Sequence, residues 1–289
     1  MREEIIRKVA KALVEASSIM QPGQVAAYRK AVREENNPHA KWALEQYLEN
    51  ASQAAQSACA LCDDTGIPHL ILDLGPKMAL EAGLIEAINQ GIAQGLAQLP
   101  GRPMAVLGDD LQRIEQKEGL DADPAALLPA PMLVRRVEED VLRLNLVMLG
   151  GGPEIRGSTQ HIAHKHDWQV VEDEIVRRAR EAVAKLGCTP CSLAVGIGRS
   201  LYEASALSLE ALVDGAYDRQ SPMEEAITAR VNQAGIGPLG LGGKTTLLAT
   251  FMKIGPQRAS GVRIVAIRPA CCVEPRIARV LLDGVDHEG

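Results

Sequence analysis

Four short apolar runs, each entered or left through a turn rich in glycine or cysteine, interrupt a chain whose remaining stretches mostly carry helical periodicity. They are Pro68–Gly75, Val141–Leu149, Ser192–Gly198 and Val262–Arg268. Runs of that length suit buried strands, and the intervening stretches place apolar residues on one face of a helix. Alternation of the two restricts the chain to an α/β fold: a mixed sheet with flanking helices and a helical N-terminal region. That region covers about residues 1–60. Ile5, Ile6, Val9, Ala12, Leu13 and Ala16 fall at helical spacing up to Pro22-Gly23, a second helix is expected over 24–35, and a third runs from Pro38 to Ala58. Further helices are expected over 77–98, 170–186, 200–213 and 222–234. The Pro-, Gly-, Ala- and Asp-rich stretch 99–133 does not have the character of a free linker. A single domain over 1–289 is the expectation.

Composition removes several function classes. Of 289 residues, 46% are hydrophobic, enough for a sizeable core, while the net charge of −6 leaves no bulk basic surface for phosphate contacts. Aromatic content is 2%, with Phe251 the single phenylalanine, so the stacking platforms of single-strand nucleic-acid binders are missing. No apolar stretch approaches the ~20 residues of a spanning helix, and Met1-Arg-Glu-Glu-Ile-Ile-Arg-Lys8 lacks a signal core. A cytoplasmic protein that engages neither nucleic acid nor membrane is expected.

In a reducing compartment the six cysteines read as metal ligands, buried small residues or reactive thiols. They form three pairs, Cys59/Cys62, Cys188/Cys191 and Cys271/Cys272. The separation of the two Cys-x-x-Cys pairs is far beyond a zinc-ribbon spacing, which leaves zinc possible without favouring it. Cys59, among Ala54, Ala55 and Ala58, reads as filler on a helix face. One thiolate from each pair would give three, the number that holds an iron–sulfur cluster with one open iron. The block Gly235-Ile-Gly-Pro-Leu-Gly-Leu-Gly-Gly-Lys-Thr-Thr246 ends like a phosphate-binding P-loop, but the position six before Lys244 is Pro238, and a helix rather than a strand precedes it. Two readings remain: a backbone that approaches an anion beside Lys244, or a tight glycine-lined crossing. His161, His164 and His166 cluster, and His161/His164 would share a helix face as metal ligands or be ordinary hydrogen-bonded histidines. Arg156 is a candidate anion contact, and His69 reads as strand-start packing.

The combination of Cys62-Asp-Asp-Thr-Gly66, Gly187-Cys-Thr-Pro190 followed by an apolar strand, and the block ending Gly-Lys-Thr-Thr246 resembles the alpha subunit, or N-terminal region, of iron–sulfur hydro-lyases: the class I fumarase and L(+)-tartrate dehydratase family. The resemblance implies a fold built around a 4Fe-4S cluster held by Cys62, Cys188 and one of the last pair. Cys272 is the choice over Cys271, because the family pattern puts arginine four residues after this cysteine and Arg276 stands there. It implies an open iron acting as Lewis acid in the reversible addition or removal of water on a small hydroxy-dicarboxylic acid, fumarate/malate or tartrate. It places Asp63, Asp64, Thr65 and Lys244 as substrate-binding candidates, and the general base on a separate C-terminal domain or beta-type subunit. A homodimer of alpha chains or an α2β2 assembly follows from the same comparison.

The sequence also departs from that pattern. Asp63 replaces the usual glutamine, and an anion there repels a dicarboxylate unless it is protonated, paired with a basic residue or turned away. Leu127-Leu-Pro-Ala-Pro-Met-Leu133 occupies the place of an Asn-Thr-Gly-rich substrate loop, and Pro153-Glu-Ile-Arg-Gly157 replaces a Ser-Glu-Asn pattern after the triple glycine. A divergent hydro-lyase acting on another hydroxy acid, or a non-catalytic metal-binding subunit, are the alternatives these departures motivate.

Overall fold

The computed structural model describes residues 2–99 and 101–282. In chain order the first half forms α1 (Arg2–Ser18), α2 (Pro22–Glu34), α3 (Pro38–Ser57), β1 (Ile67–Leu74), α4 (Leu84–Gln98), α5 (Asp110–Glu115), β2 (Leu133–Arg136) and β3 (Leu142–Leu149). There follow α6 (Gly151–Glu154), β4 (Ser158–Ala163), α7 (Trp168–Ala184), β5 (Cys191–Gly198), α8 (Leu201–Asp214), α9 (Pro222–Asn232), β6 (Leu247–Ile254), β7 (Val262–Ala270) and β8 (Arg276–Leu281). The fold is α/β, with two mixed four-stranded sheets and flanking helices. The chain divides into two compact units: Met1–Ile19, Gln53–Gly150 and Arg276–Gly289 make the first, Met20–Ser52 and Gly151–Pro275 the second. Among the described residues no helix is long and apolar enough to cross a membrane.

In the first unit the sheet order is β2-β1-β3-β8, with β1 parallel to β2 and antiparallel to β3. Leu70 and Leu72 of β1 and Leu144 and Leu146 of β3 present one apolar face, against which α1 and α4 lay Ile6, Val9, Leu13, Ile88, Ile92 and Leu96. The two helices approach closely because α4 has glycine at the contact. A Cβ on Gly91 would stand 2.6 Å from that of Val9, and one on Gly95 2.8 Å from that of Leu13. Residues 77–83, expected to open α4, instead form turns: Gly83 precedes the helix at φ +84°, and the Lys77 amide donates to Asp140 Oδ1 at 3.0 Å.

In the second unit the order is β4-β7-β5-β6, with β5 parallel to β6 and antiparallel to β7. Strand β5 is buried along its whole length. Leu193, Val195 and Ile197 join the core formed with α7 and α9. Gly196 and Gly198 lie against α8, where any Cβ on Gly196 would overlap the Ala204 carbonyl. That two-sided cover explains why this run is continuously apolar. Side-chain caps at Asp167, Ser200 and Ser221 fix the starts of α7, α8 and α9, each contributing about 1 kcal/mol.

A buried carboxylate lies inside the first unit. Asp73, fully buried on β1, accepts from Arg135 Nε at 2.6 Å and Arg143 Nε at 2.9 Å. Burial pushes its carboxyl up, but hydrogen bonds from Arg135, Asn145 and Arg143 outweigh that, and the net displacement is downward. A folded-state value below the unfolded one means a contribution fully present above the ordinary carboxylate range and lost as pH falls through the lower folded value. Urea unfolding of the wild type should therefore show falling stability on acidification below the ordinary carboxylate range. Asp73→Asn should lower stability at neutral pH by about 2–3 kcal/mol, because both guanidiniums lose the buried carboxylate while remaining partly hydrated, Arg143 keeping Glu139. The variant should also flatten the acid limb.

Candidate functional site: three cysteine turns

The turn Cys62–Gly66 joins the end of the α3 segment to β1 and is held by backbone and side-chain ties within the first unit. The Leu61 amide donates to Ser17 O at 2.9 Å, and Thr65 Oγ1 donates to Arg102 O at 2.9 Å. Asp64 Oδ1 accepts the Gly66 amide at 3.1 Å, the local turn that aspartate makes two residues ahead of a glycine. Arg276, 2% exposed, donates from Nη1 to Asp64 O at 2.9 Å and Thr65 O at 3.2 Å. Asp63 is exposed and stands 3.2 Å from Arg102 Nη1, so its charge is paired. Cys62 itself is partly exposed.

Cys188 and the pair Cys271/Cys272 meet in the second unit, on the loops that enter β5 and leave β7. The Cys272 amide donates to Cys188 O at 3.1 Å, which ties the two cysteine turns together. Proximity to Cys188 and Cys271, then burial, pushes the Cys272 thiol up, because adjacent sulfurs resist charging together. Two residues of α2 secure the turn. Tyr28 Oη donates to Cys272 O at 2.7 Å, while Gln24 Nε2 donates to Cys272 O at 3.2 Å and Glu274 O at 2.9 Å. Tyr47 Oη donates to Thr189 O at 3.2 Å. Burial first, then the neighbouring Cys272, raises the pKa of both phenols, which stay protonated as donors.

The glycine-rich block closes around the Cys188 turn. Thr189 Oγ1 donates to Gly237 O at 2.6 Å, the Leu239 amide to Thr189 O at 2.9 Å, and the Cys191 amide to Thr246 O at 3.0 Å. Gly237, at φ +68°, touches the Gly242 carbonyl so closely that no side chain fits. This is the tight glycine-lined crossing of the two readings. Lys244 is engaged: its amide donates to Glu35 Oε2 at 2.7 Å and its Nζ to Glu34 O at 2.8 Å. Buried Glu35 also accepts the Asn36 and Asn37 amides at 2.9 Å each.

Other candidates separate from this centre. His161 lies on strand β4, not on a helix shared with His164. His164 Nδ1 accepts the His166 amide at 2.9 Å, so its Nε2 carries the proton and donates to Ser260 O at 2.8 Å; both ring nitrogens are used structurally. Arg156 Nε donates to Lys185 O. His69 faces its own neighbour, Ile67 O, at 3.0 Å. Cys59 is exposed past the end of α3, which corrects its reading as helix-face filler, and Cys191 is buried at the start of β5. Sequence reasoning passed over Gln24, Tyr28, Tyr47 and Glu35. The signal for the first two was their i, i+4 spacing, which puts both on the inward face of α2. Arg276 served only as a spacing marker.

Thiols on turns tied by hydrogen bonds, with tyrosine and glutamine donors on the supporting backbone, are donors of the class that would suit a soft, thiophilic metal. Among the described residues no group of three or more histidine, cysteine, aspartate or glutamate side chains is arranged to hold a metal ion.

These features define an α/β protein with thiols on the turns that enter β1 and β5 and on the turn between β7 and β8. The family model described as fumarate hydratase (Fumerase) matches residues 6–280, and the chain belongs to that family of hydro-lyases. It is 25% identical over 265 residues to a putative L(+)-tartrate dehydratase subunit alpha of Methanocaldococcus jannaschii, covering 89% of this chain and 90% of that one. It is 26% identical over 260 residues to a putative fumarate hydratase class I of Geobacillus stearothermophilus, covering 85% of this chain but 49% of that protein. Against the L(+)-tartrate dehydratase subunit alpha of Escherichia coli K12 identity is 21%, over 79% of this chain and 75% of the relative.

Burial and exposure order the thiols by reactivity. Under native, metal-free conditions iodoacetamide should label exposed Cys59 and Cys188 first and Cys62 more slowly. Cys191, whose burial pushes its thiol up, should lag by about a hundredfold or more. Peptide mass spectrometry over a time course reads this order directly, and early labelling of Cys191 would contradict the placement.

Proposed function

We propose that this chain is the alpha subunit of a 4Fe-4S hydro-lyase that reversibly adds or removes water on a small hydroxy-dicarboxylic acid of the fumarate/malate or tartrate class. Cys62, Cys188 and Cys272 are the proposed ligands. The observation that carries the reading is the bond from the Cys272 amide to Cys188 O, which brings two cysteine turns together on backbone held by Tyr28 and Gln24. Cys62, Cys188 and Cys272 would hold the cluster, and three thiolates would leave it one open iron to supply Lewis acidity toward substrate oxygen.

The chain's own residues have narrower tasks. Asp64 and Thr65 would orient the Cys62 turn and present its polar groups to substrate. Asp63 is compatible with an anionic substrate because Arg102 offsets its charge. Lys244 would add positive potential near the glycine block while remaining bound to Glu34. Proton transfer next to a carboxylate needs a positioned base, and we assign it to a beta-type partner subunit. Relatives named as alpha subunits, and a fumarate hydratase about half of whose length this chain spans, support that division. The proposed assembly is a homodimer of alpha chains or α2β2, and the proposed compartment is the cytoplasm, where thiols stay reduced.

Anaerobic reconstitution with iron and sulfide should give about four irons per chain, with the cluster absorbance lost in Cys62→Ser, Cys188→Ser and Cys272→Ser but kept in Cys191→Ser. Stoichiometric zinc in place of iron would sink the reading. Loss of malate or tartrate should require a beta-type partner. Full turnover by this chain alone defeats the subunit assignment, and no turnover with any partner favours a non-catalytic role.

A further inference from the structure

Arg276 ranks among the largest fully buried side chains of the protein, and a buried guanidinium is costly unless its donors are satisfied. Its Nη1 serves the carbonyls of two successive residues, Asp64 and Thr65, in the turn that carries Cys62. The fit is steric as well. A Cβ on Gly66 would stand 2.5 Å from Arg276 Nη2 and 2.9 Å from Leu149 O, and Gly66 sits at φ +79°. The guanidinium therefore packs directly on the one residue of the turn that leaves room for it. The flanks of the turn are secured elsewhere, by Ser17 at Leu61 and by Arg102 at Thr65 Oγ1.

We propose that Arg276 is the positioning residue of the Cys62 turn, fixing the direction of the Cys62 thiol through the carbonyls of Asp64 and Thr65. All the contacts lie within the first unit, whose last segment begins at Arg276. The arginine four residues beyond Cys272 is thus a clamp on the turn of a different cysteine. For its consequence, a Cys62 aimed for iron, the inference rests on the function proposed above; its geometry does not.

The test uses the full chain, metal-free and anaerobic, and compares alkylation rates of Cys62, Cys59 and Cys188 by N-ethylmaleimide pulses and peptide mass spectrometry. In Arg276→Met the Cys62 rate should rise about tenfold relative to Cys188, the factor produced by losing about 1.4 kcal/mol of anchoring. Cys59 and Cys188 should keep their wild-type rates. Arg276→Lys, which retains the charge but not the planar fork, should give a smaller rise. Gly66→Ala, which pushes a methyl group into the guanidinium site, should reproduce the selective rise with Arg276 intact. An unchanged Cys62/Cys188 ratio in folded Arg276→Met overturns the proposal, as does an equal rise at every cysteine, which marks a general loosening of the fold. If Arg276→Met does not fold, the same ratio in Arg276→Lys and Gly66→Ala decides. A wild-type chain that takes up no iron overturns the cluster reading and leaves the alkylation result standing. The opposite pattern removes only the clamp.

Discussion

The carbonyl of Cys272 is the point on which the arrangement of thiols in the second unit depends. It accepts from Tyr28 and Gln24, both on α2, while the amide of the same residue donates to Cys188 O. A thiol is a weak hydrogen-bonding group and does little to fix its own position. Its place is set by the backbone beneath it, and here that backbone is tied to a helix in one direction and to another cysteine turn in the other. The donors are long side chains with no charge of their own in the folded state, so they hold the turn without biasing the sulfurs toward a particular ionisation. Glu274 adds a second link, its carboxylate accepting the Cys271 amide while its own amide returns to Cys271 O.

The glycine-rich block serves the same turn from the other side. Its resemblance to a phosphate loop comes from glycines and a terminal Gly-Lys-Thr, but the amides a phosphate loop would present are partly spent. The Gly237 amide bonds Thr246 Oγ1, the Leu239 amide bonds Thr189 O, and the Lys244 amide bonds Glu35. Positive φ at Gly237, Gly240, Gly242 and Gly243 lets the loop double back within about ten residues, which an ordinary sequence cannot do without strain. Glu35 is the polar counterweight. A buried carboxylate with three backbone amides and a lysine near it stays ionised, and hydrogen bonding to Asn37 and Lys244 overcomes the upward push of its burial.

Legibility of the fold in the sequence divides by position in the sheets. The four apolar runs correspond to β1, β3, β5 and β7, the interior strands of β2-β1-β3-β8 and β4-β7-β5-β6. The four that escaped notice, β2, β4, β6 and β8, are the edges. An interior strand is paired on both sides, and in β5 it is covered on both faces, so its residues are apolar in a row. Three of these edges carry polar and charged residues that discourage further pairing, as in Ser158-Thr-Gln-His-Ile-Ala163 and Arg276-Ile-Ala-Arg-Val-Leu281, whereas β6, Leu247–Ile254, is largely apolar and escaped notice behind the glycine-rich block. The same blindness misread the region of His161, whose polar strand was taken for helix. For the site, the cysteine turns were legible because cysteine and glycine are conspicuous. Tyr28, Gln24 and Arg276 were not, since a polar residue that acts by holding a distant carbonyl carries no local signature.

Asp63 shows how a departure from a family pattern is absorbed. Read alone, an added carboxylate beside Cys62 opposes an anionic substrate. Arg102 answers it with an ion pair that is half-exposed and worth little to stability, about 0–1 kcal/mol. The value of the pair lies in local charge: a guanidinium at 3.2 Å cancels the field of the carboxylate at distances where a substrate would feel it. The same residue offers its backbone carbonyl to Thr65, so one position after α4 supplies both a tie for the turn and a counter-charge for its most awkward side chain. The charge at this turn is therefore set by Asp63 and Arg102 together, and neither residue taken singly describes it.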